Sequence, residues 1–267
     1  MSEVLSVTRE GPLARVTLTR PEVRNAFNAA LIEALRRAFA ELAVEAPDAL
    51  RAVVLAGAGK AFCAGADIEW QRAAIGLSAE ENEADAARLQ AMLLAIDGCP
   101  APVIARVHGA SLGGGMGLCA VADVVLSTAD AVFGFTETKL GIMPAVISPF
   151  VLARIGEGHA RALFSAGERF DAERALRIGL VHEVLPDEEA LDARVDALLG
   201  ELLSAGPTAA RGAKAVILDQ RGLTPPDARA LGVQRAARQR VSAEGQEGLS
   251  AFLDKRPPDW SPYPYAF

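Results

Sequence analysis

Two clusters in this chain combine residue types and spacing that suit chemistry. The first is Gly113-Gly114-Gly115, which follows an apolar, β-branched run at 103–107 and opens an apolar segment reaching Val121. Inside a helix each glycine costs about 1 kcal/mol relative to alanine. What such glycines offer is bare backbone N–H groups, which at a helix N-terminus carry positive partial charge and suit an anion or a developing oxyanion. The second cluster is the small-residue stretch 57–68, GAGKAFCAGADI, whose CAGADI end also presents N–H groups at a helix start, with Asp67 placed to favour the dipole. Glu137 in FTETK reads on its own as a solvated charge at a strand end, with Lys139 as its obvious partner. If it is catalytic, its apolar neighbours Phe133, Phe135, Leu140 and Ile142 would raise its pKa by desolvation.

Other chemistries fit the same glycines less well. Gly109-Ala-Ser111-Leu-Gly113 matches the G-x-S-x-G nucleophile elbow between strand and helix. A hydrolase would then need a later acid and histidine, and only His159 and His182 lie downstream, the latter inside an apolar strand. Gly115, Gly117 and Ala120 satisfy a relaxed dinucleotide fingerprint, but the strand-to-helix turn is too long and no acid ends the following strand. The 57–68 stretch lacks the Ser or Thr that a Walker phosphate loop places after its lysine. Cys63, Cys99 and Cys119 are odd in number and widely spaced, and His108, His159 and His182 lack metal-ligand spacing, so no metal site is expected. His108 reads as a satisfied turn histidine, Met92 and Met116 as core filler.

Composition bounds the remainder. The 267 residues suffice for one large domain or a core with an appendage, and the 51% hydrophobic and 23% charged content is that of an ordinary globular protein. A net charge of −7 argues against general nucleic-acid binding. No apolar run is long enough to span a membrane, and the first ten residues carry neither a basic start nor an apolar signal core. With the cysteine pattern, this points to a cytoplasmic protein.

The elements that must position these residues follow from periodicity. Residues 4–8 and 13–19 alternate around Gly11-Pro12 as a hairpin. Asn28 caps a helix carrying Leu31, Leu35, Phe39 and Leu42. Strands are expected at 51–55, 102–107, 123–127, 131–135 and 180–185, and helices at 80–96, 145–155, 157–166, 171–178 and 187–204. Further helices and an aromatic, proline-rich end at 260–267 follow. Strands and helices alternate early and helices dominate late, which predicts an α/β core over 1–200 and a helical appendage over 201–267. A doubly wound sheet fits this alternation as well.

AFCAGADI, HGASLGGGMGLCAVAD and FGFTETKLGIMP, in this order and at these separations, resemble the crotonase (enoyl-CoA hydratase/isomerase) superfamily; RPEVRNAFN and EGLSAFLDKRPPDW extend the resemblance over nearly the whole chain. It implies a spiral of ββα turns with a C-terminal helical trimerisation region, assembled as a homotrimer or a dimer of trimers. It implies an acyl-CoA thioester substrate, with coenzyme A as part of that substrate and no metal or redox cofactor. The thioester oxygen would be held by the backbone N–H groups of Ala66 and Gly114, and Glu137 would be the catalytic acid/base.

Family hydratases carry a second glutamate two residues after the glycine triplet, where this chain has Gly117. The expectation is an enoyl-CoA lyase adding water to a branched or carboxylated enoyl-CoA of the 3-methylglutaconyl-CoA kind, with Gly117 leaving room for the branch or carboxylate. GIMPAVISPFVLARIG resembles that subgroup. A double-bond isomerase using Glu137 alone is the alternative, and a serine hydrolase through Ser111 or a non-catalytic CoA-binding protein are rivals of other classes. The resemblance places the CoA moiety along the backbone of Val23, Arg24 and Ala64 to Ile68, including Asp67, with Lys255 meeting a phosphate from a neighbouring subunit. Arg24 and Lys255 read equally as surface charge. Ile142, Pro144 and Ile147 line the acyl pocket or belong to the core.

Overall fold

The computed structural model describes residues 4–261; residues 262–267 of the proline-rich end lie outside them. In chain order the elements are β1 (Leu5–Glu10), β2 (Leu13–Leu18), α1 (Ala29–Ala43), β3 (Ala52–Gly57), α2 (Ile68–Ala74), α3 (Ala79–Asp97), β4 (Val103–Val107), β5 (Ala110–Leu112), α4 (Gly114–Val121), β6 (Val124–Thr128), β7 (Val132–Gly134), α5 (Ser148–Ala166), β8 (Arg169–Asp171), α6 (Ala172–Arg177), β9 (Glu183–Leu185), α7 (Glu188–Ser204), α8 (Pro207–Asp219), α9 (Pro225–Val241) and α10 (Ala243–Leu253). Short 3-10 turns cover Pro21–Val23 and Thr136–Leu140.

Six strands form one sheet in the order β1-β2-β3-β4-β6-β9, antiparallel only in the β1–β2 hairpin. A second sheet, β5-β7-β8, stands beside it. The chain visits the two in turn: β4 in the large sheet, β5 in the small one, then α4; next β6, β7, then α5. This is the ββα spiral, not a doubly wound sheet. Residues 110–112, which the sequence offers as turn chemistry, are the strand that makes the second layer. The strand expected at 180–185 shrinks to β9, because the N–H groups of Leu180 and Val181 close the end of α6 on Ala175 O.

β3 and β4 are buried along their whole length, the mark of parallel strands covered on both faces. One face packs against α1, α3 and α4 through residues such as Leu35, Phe39, Leu93 and Leu118. The other packs against Leu191, Val195 and Leu199 of α7. Caps fix the helix starts: Asn28 Oδ1 accepts from Leu31 N–H at 2.9 Å, and Ser78 with Glu81 forms a capping box for α3. Gly156 (φ 75°) divides α5 where the sequence predicts one helix ending and another beginning. The helices α8 to α10 are tied to the core by Lys214 Nζ on Asp123 at 2.7 Å and by Arg211, which donates to the carbonyls of Glu45, Ala46 and Leu50. No helix among the described residues is long and apolar enough to cross a membrane.

Candidate active site

Two glycine-rich segments run side by side beneath a cavity of about 490 Å³. Cys63 N–H donates to Ala110 O at 3.0 Å and Leu112 N–H to Cys63 O at 2.9 Å, which locks loop 63–66 onto β5. A Cβ on Gly65 would stand 3.1 Å from Leu112 O, so only a bare backbone allows this approach. On the far side of the loop, Phe27 donates to Gly65 O at 2.7 Å and accepts from Asp67 N–H at 2.8 Å. In a parallel bridge one residue uses both its groups on the neighbours flanking its opposite number. The N–H of Ala66 is therefore turned away from Phe27, and it has no protein acceptor among the described residues. Gly114 is the first residue of α4, where an N–H is left unpaired by helix geometry, and it too has no acceptor among the described residues. A Cβ there would lie 2.6 Å from the ring of the buried Phe27.

Glu137 reaches the same place from β7. Gly113 N–H donates to Gly134 O at 2.9 Å, tying the glycine turn to that strand, and the 3-10 turn after it projects the carboxylate so that Oε1 lies 3.5 Å from where a Gly113 Cβ would be. Its Oε2 is buried with no hydrogen-bond partner among the described residues. Burial raises its pKa above the ordinary glutamate value, only partly opposed by its own backbone N–H. Lys139 forms no ion pair with it, and the surface-charge reading of Glu137 falls.

Asp67 stands at the start of α2 as its position in the sequence suggests, and its side chain is fully engaged there. It caps α2 by accepting from Glu69 N–H at 2.8 Å and pairs with Arg20 at 2.7 Å. Burial pushes its pKa up, yet the Arg20 and backbone hydrogen bonds outweigh this and leave it lowered. Arg24 O accepts from Ala64 N–H at 2.9 Å, which sets the exposed Val23–Arg24 turn against the same loop. Ile68 and Ile142 line the cavity and remain well exposed; Pro144 and Ile147 line it too. Lys255 follows α10 and lies outside the cavity lining of this single chain.

Two expectations need correction. Gly117 is buried in α4 and does not line the cavity, and its missing side chain leaves no room for substrate. A Cβ there would stand 2.7 Å from Ile147 Cγ2 and 3.3 Å from Leu93 Cδ2, so protein already fills that space. Ser111 is fully buried and its Oγ contacts Cys119 Sγ at 3.4 Å. His159 is exposed on α5 and His182 is held by Val125 N–H and Arg154, so neither serves the buried Ser111 and the nucleophile elbow is absent. His108 is held by Gly59 O and Arg106. Spacing gave no sign of Phe27, whose backbone aims Ala66 and whose ring demands Gly114. Nor did it reveal buried Asn25, whose Nδ2 donates to the carbonyls of Ala58 and Ala61.

A family model described as enoyl-CoA hydratase/isomerase matches residues 8–262. The chain is similar to the solved structure of Pseudomonas aeruginosa AtuE, with 38% identity, a TM-score of 0.93 and coverage of 97% of this chain and 99% of that one. An enoyl-CoA hydratase structure from Shewanella pealeana gives 35% identity and a TM-score of 0.90 over 96% of each chain. Enoyl-CoA hydratase AFT6-1 of Alternaria alternata is 33% identical over 214 residues, 79% of this chain and 68% of that protein. With its ββα spiral and its paired glycine loops, the chain belongs to the enoyl-CoA hydratase/isomerase, or crotonase, family of enzymes.

Proposed function

We propose that the protein is an enoyl-CoA hydratase in which Ala66 and Gly114 form an oxyanion hole and Glu137 is the single acid/base. The carrying observation is Glu137 itself: a half-buried carboxylate of raised pKa, with one oxygen unpartnered, beside two unpaired backbone donors. The thioester carbonyl accepts from Ala66 N–H and Gly114 N–H, which stabilise the enolate formed when the β-carbon is attacked. Glu137 takes a proton from water as the oxygen bonds to the β-carbon, then returns that proton to the α-carbon. Water is thus added across the double bond with no net change at the enzyme, and one carboxylate requires both new bonds on the same face. No electron transfer occurs, so the proposed chemistry needs no metal or redox cofactor, and coenzyme A enters with the substrate.

Ile147 and Leu93 crowd the point from which a second glutamate's side chain would start, which also favours a second reading. In a β,γ-to-α,β isomerase, Glu137 would move one proton from the α- to the γ-carbon without water. The substrate proposed here is branched or carboxylated, of the 3-methylglutaconyl-CoA kind, and CoA lies along Val23, Arg24 and the backbone of 64–68. A homotrimer or dimer of trimers is supported by the exposed Ile217, Val233, Val241 and Leu253 on α8 to α10, and Lys255 would reach a neighbour's CoA phosphate. Residues 1–200 as the catalytic core and 201–267 as the oligomerisation region belong to the same proposal. Three buried free cysteines suit the reducing cytoplasm.

Loss of enoyl-thioester absorbance with crotonyl-CoA and 3-methylglutaconyl-CoA tests the reading. Turnover of a β,γ-enoyl-CoA without hydration selects the isomerase, and CoA binding with no turnover of any enoyl-CoA selects a non-catalytic protein.

A further inference from the structure

Three charged side chains line the cavity: Asp85, Glu137 and Arg169. Two of them are accounted for. Asp85 is paired with Arg88 at 3.4 Å, and Glu137 is the acid/base of the reading above. Arg169 has no hydrogen-bond or ion-pair partner among the described residues. The acids beside it are engaged elsewhere: Glu168 pairs with Arg174 at 2.6 Å, and Asp171 caps α6 on Arg174 N–H at 2.8 Å.

The fold places this exposed, unpaired arginine at the cavity wall. Arg169 opens β8 in register with Gly134 of β7, the strand that leads into Glu137. Its Cγ lies 3.4 Å from where a Gly134 Cβ would be, so the arginine stem lies over a residue that has no side chain. In the adjoining groove that Arg169 also lines, Arg174 and Arg177 are paired with Glu168 and Glu173, and Asp171 shares the lining, so Arg169 is the cation left without a partner among the described residues. The remaining wall is mostly apolar, from residues such as Trp70, Leu89, Leu140 and Met143. An apolar cavity with one uncompensated fork of N–H donors matches an acyl group that ends in a carboxylate.

Resting on the enoyl-CoA reading above, we infer that Arg169 is the specificity residue of this site and that the substrate is a dicarboxylic enoyl-CoA. The acyl carboxylate pairs with Arg169, while Asp85, on α3, disfavours it at its own wall.

The test compares crotonyl-CoA with glutaconyl-CoA, which differ by one carboxylate, in the wild type, Arg169→Met and Arg169→Lys. The wild type prefers glutaconyl-CoA, and Arg169→Met loses about 10- to 100-fold in kcat/KM on it, the range of a charge-assisted hydrogen bond, mainly through KM. Crotonyl-CoA turnover changes less than about threefold and reports an intact fold, and Arg169→Lys recovers part of the loss because charge without the fork remains. No preference in the wild type, or equal losses on both thioesters, overturns the inference. Calorimetric binding of butyryl-CoA and glutaryl-CoA reads the same contact without turnover. If neither enoyl-CoA reacts, the hydratase reading fails, yet tighter glutaryl-CoA binding that Arg169→Met abolishes still supports Arg169. Equal binding of the two refutes it.

Discussion

Replacing Gly117 tests whether Ile147 truly closes the position of a second carboxylate. A Cβ at 117 meets Ile147 Cγ2 at 2.7 Å, Leu93 Cδ2 at 3.3 Å and Ile147 Cβ at 3.4 Å, and both neighbours are almost wholly buried. Gly117→Ala gains about 1 kcal/mol of helix propensity and loses about 1–3 kcal/mol to overpacking, a net cost of about 0–2 kcal/mol. Ile147→Ala alone costs about 2–5 kcal/mol through the cavity it leaves. In the double variant the new methyl enters the space vacated by Cγ2, so the clash vanishes and part of the cavity refills. The combined cost then falls short of the sum by about 1–3 kcal/mol. Urea unfolding of the four proteins at one fixed protein concentration measures the cycle. Additivity within about 0.5 kcal/mol would refute the packing argument. Gly117→Glu alone is expected to lose activity instead of supplying a second carboxylate.

Three further perturbations probe the frame of the site. Gly114→Ala drives a methyl into the Phe27 ring, 2.6 Å away, and should lower kcat by about 10²-fold, the range for loss of one oxyanion donor, read in steady-state hydration assays. Asp67→Ala strands the Arg20 guanidinium, whose side chain is 13% exposed, and should cost about 3–5 kcal/mol in urea unfolding while loosening the loop that carries Ala66 N–H. Glu137 has a pKa raised by burial, so the folded state holds its proton more tightly than the unfolded chain. Its contribution to stability is therefore full below the unfolded value of about 4.3 and is lost as pH rises through the higher folded pKa. Glu137→Gln should unfold at higher urea than the wild type at pH 7, and this advantage should disappear in acid.

The elements that dominate the large sheet were legible because parallel, doubly covered strands read as apolar runs, unbroken in β3 and interrupted only by Arg106 in β4. The helix α1 announced itself through its Asn28 cap and 3.6-residue spacing and α3 through its charged, amphipathic run, while the Ser78 cap of α3 emerged only from the structure. β5 was not legible. Three residues between a positive-φ glycine and the glycine triplet carry no strand period, and its pairing partners lie twenty-two residues on, in β7. The paired glycine loops stood out by residue type and order, whereas Glu137 on its own read as a surface charge and took its expected role from the family resemblance. The roles of Phe27 and Arg169 did not, since one acts through a bridge across the chain and the other through the register of β8 on β7. Gly117 was the instructive error: its place in the motif was plain, but only the packing of Ile147 shows that the space beside it is filled.

The most direct measurement of the central claim is hydration of 3-methylglutaconyl-CoA, followed by loss of enoyl-thioester absorbance, in the wild type and Glu137→Gln at pH 7. The account predicts turnover by the wild type and a loss of at least about 10²-fold in kcat for the variant, the size of a general acid–base contribution, with the variant folded and still binding the thioester. Wild-type rates in Glu137→Gln would contradict it.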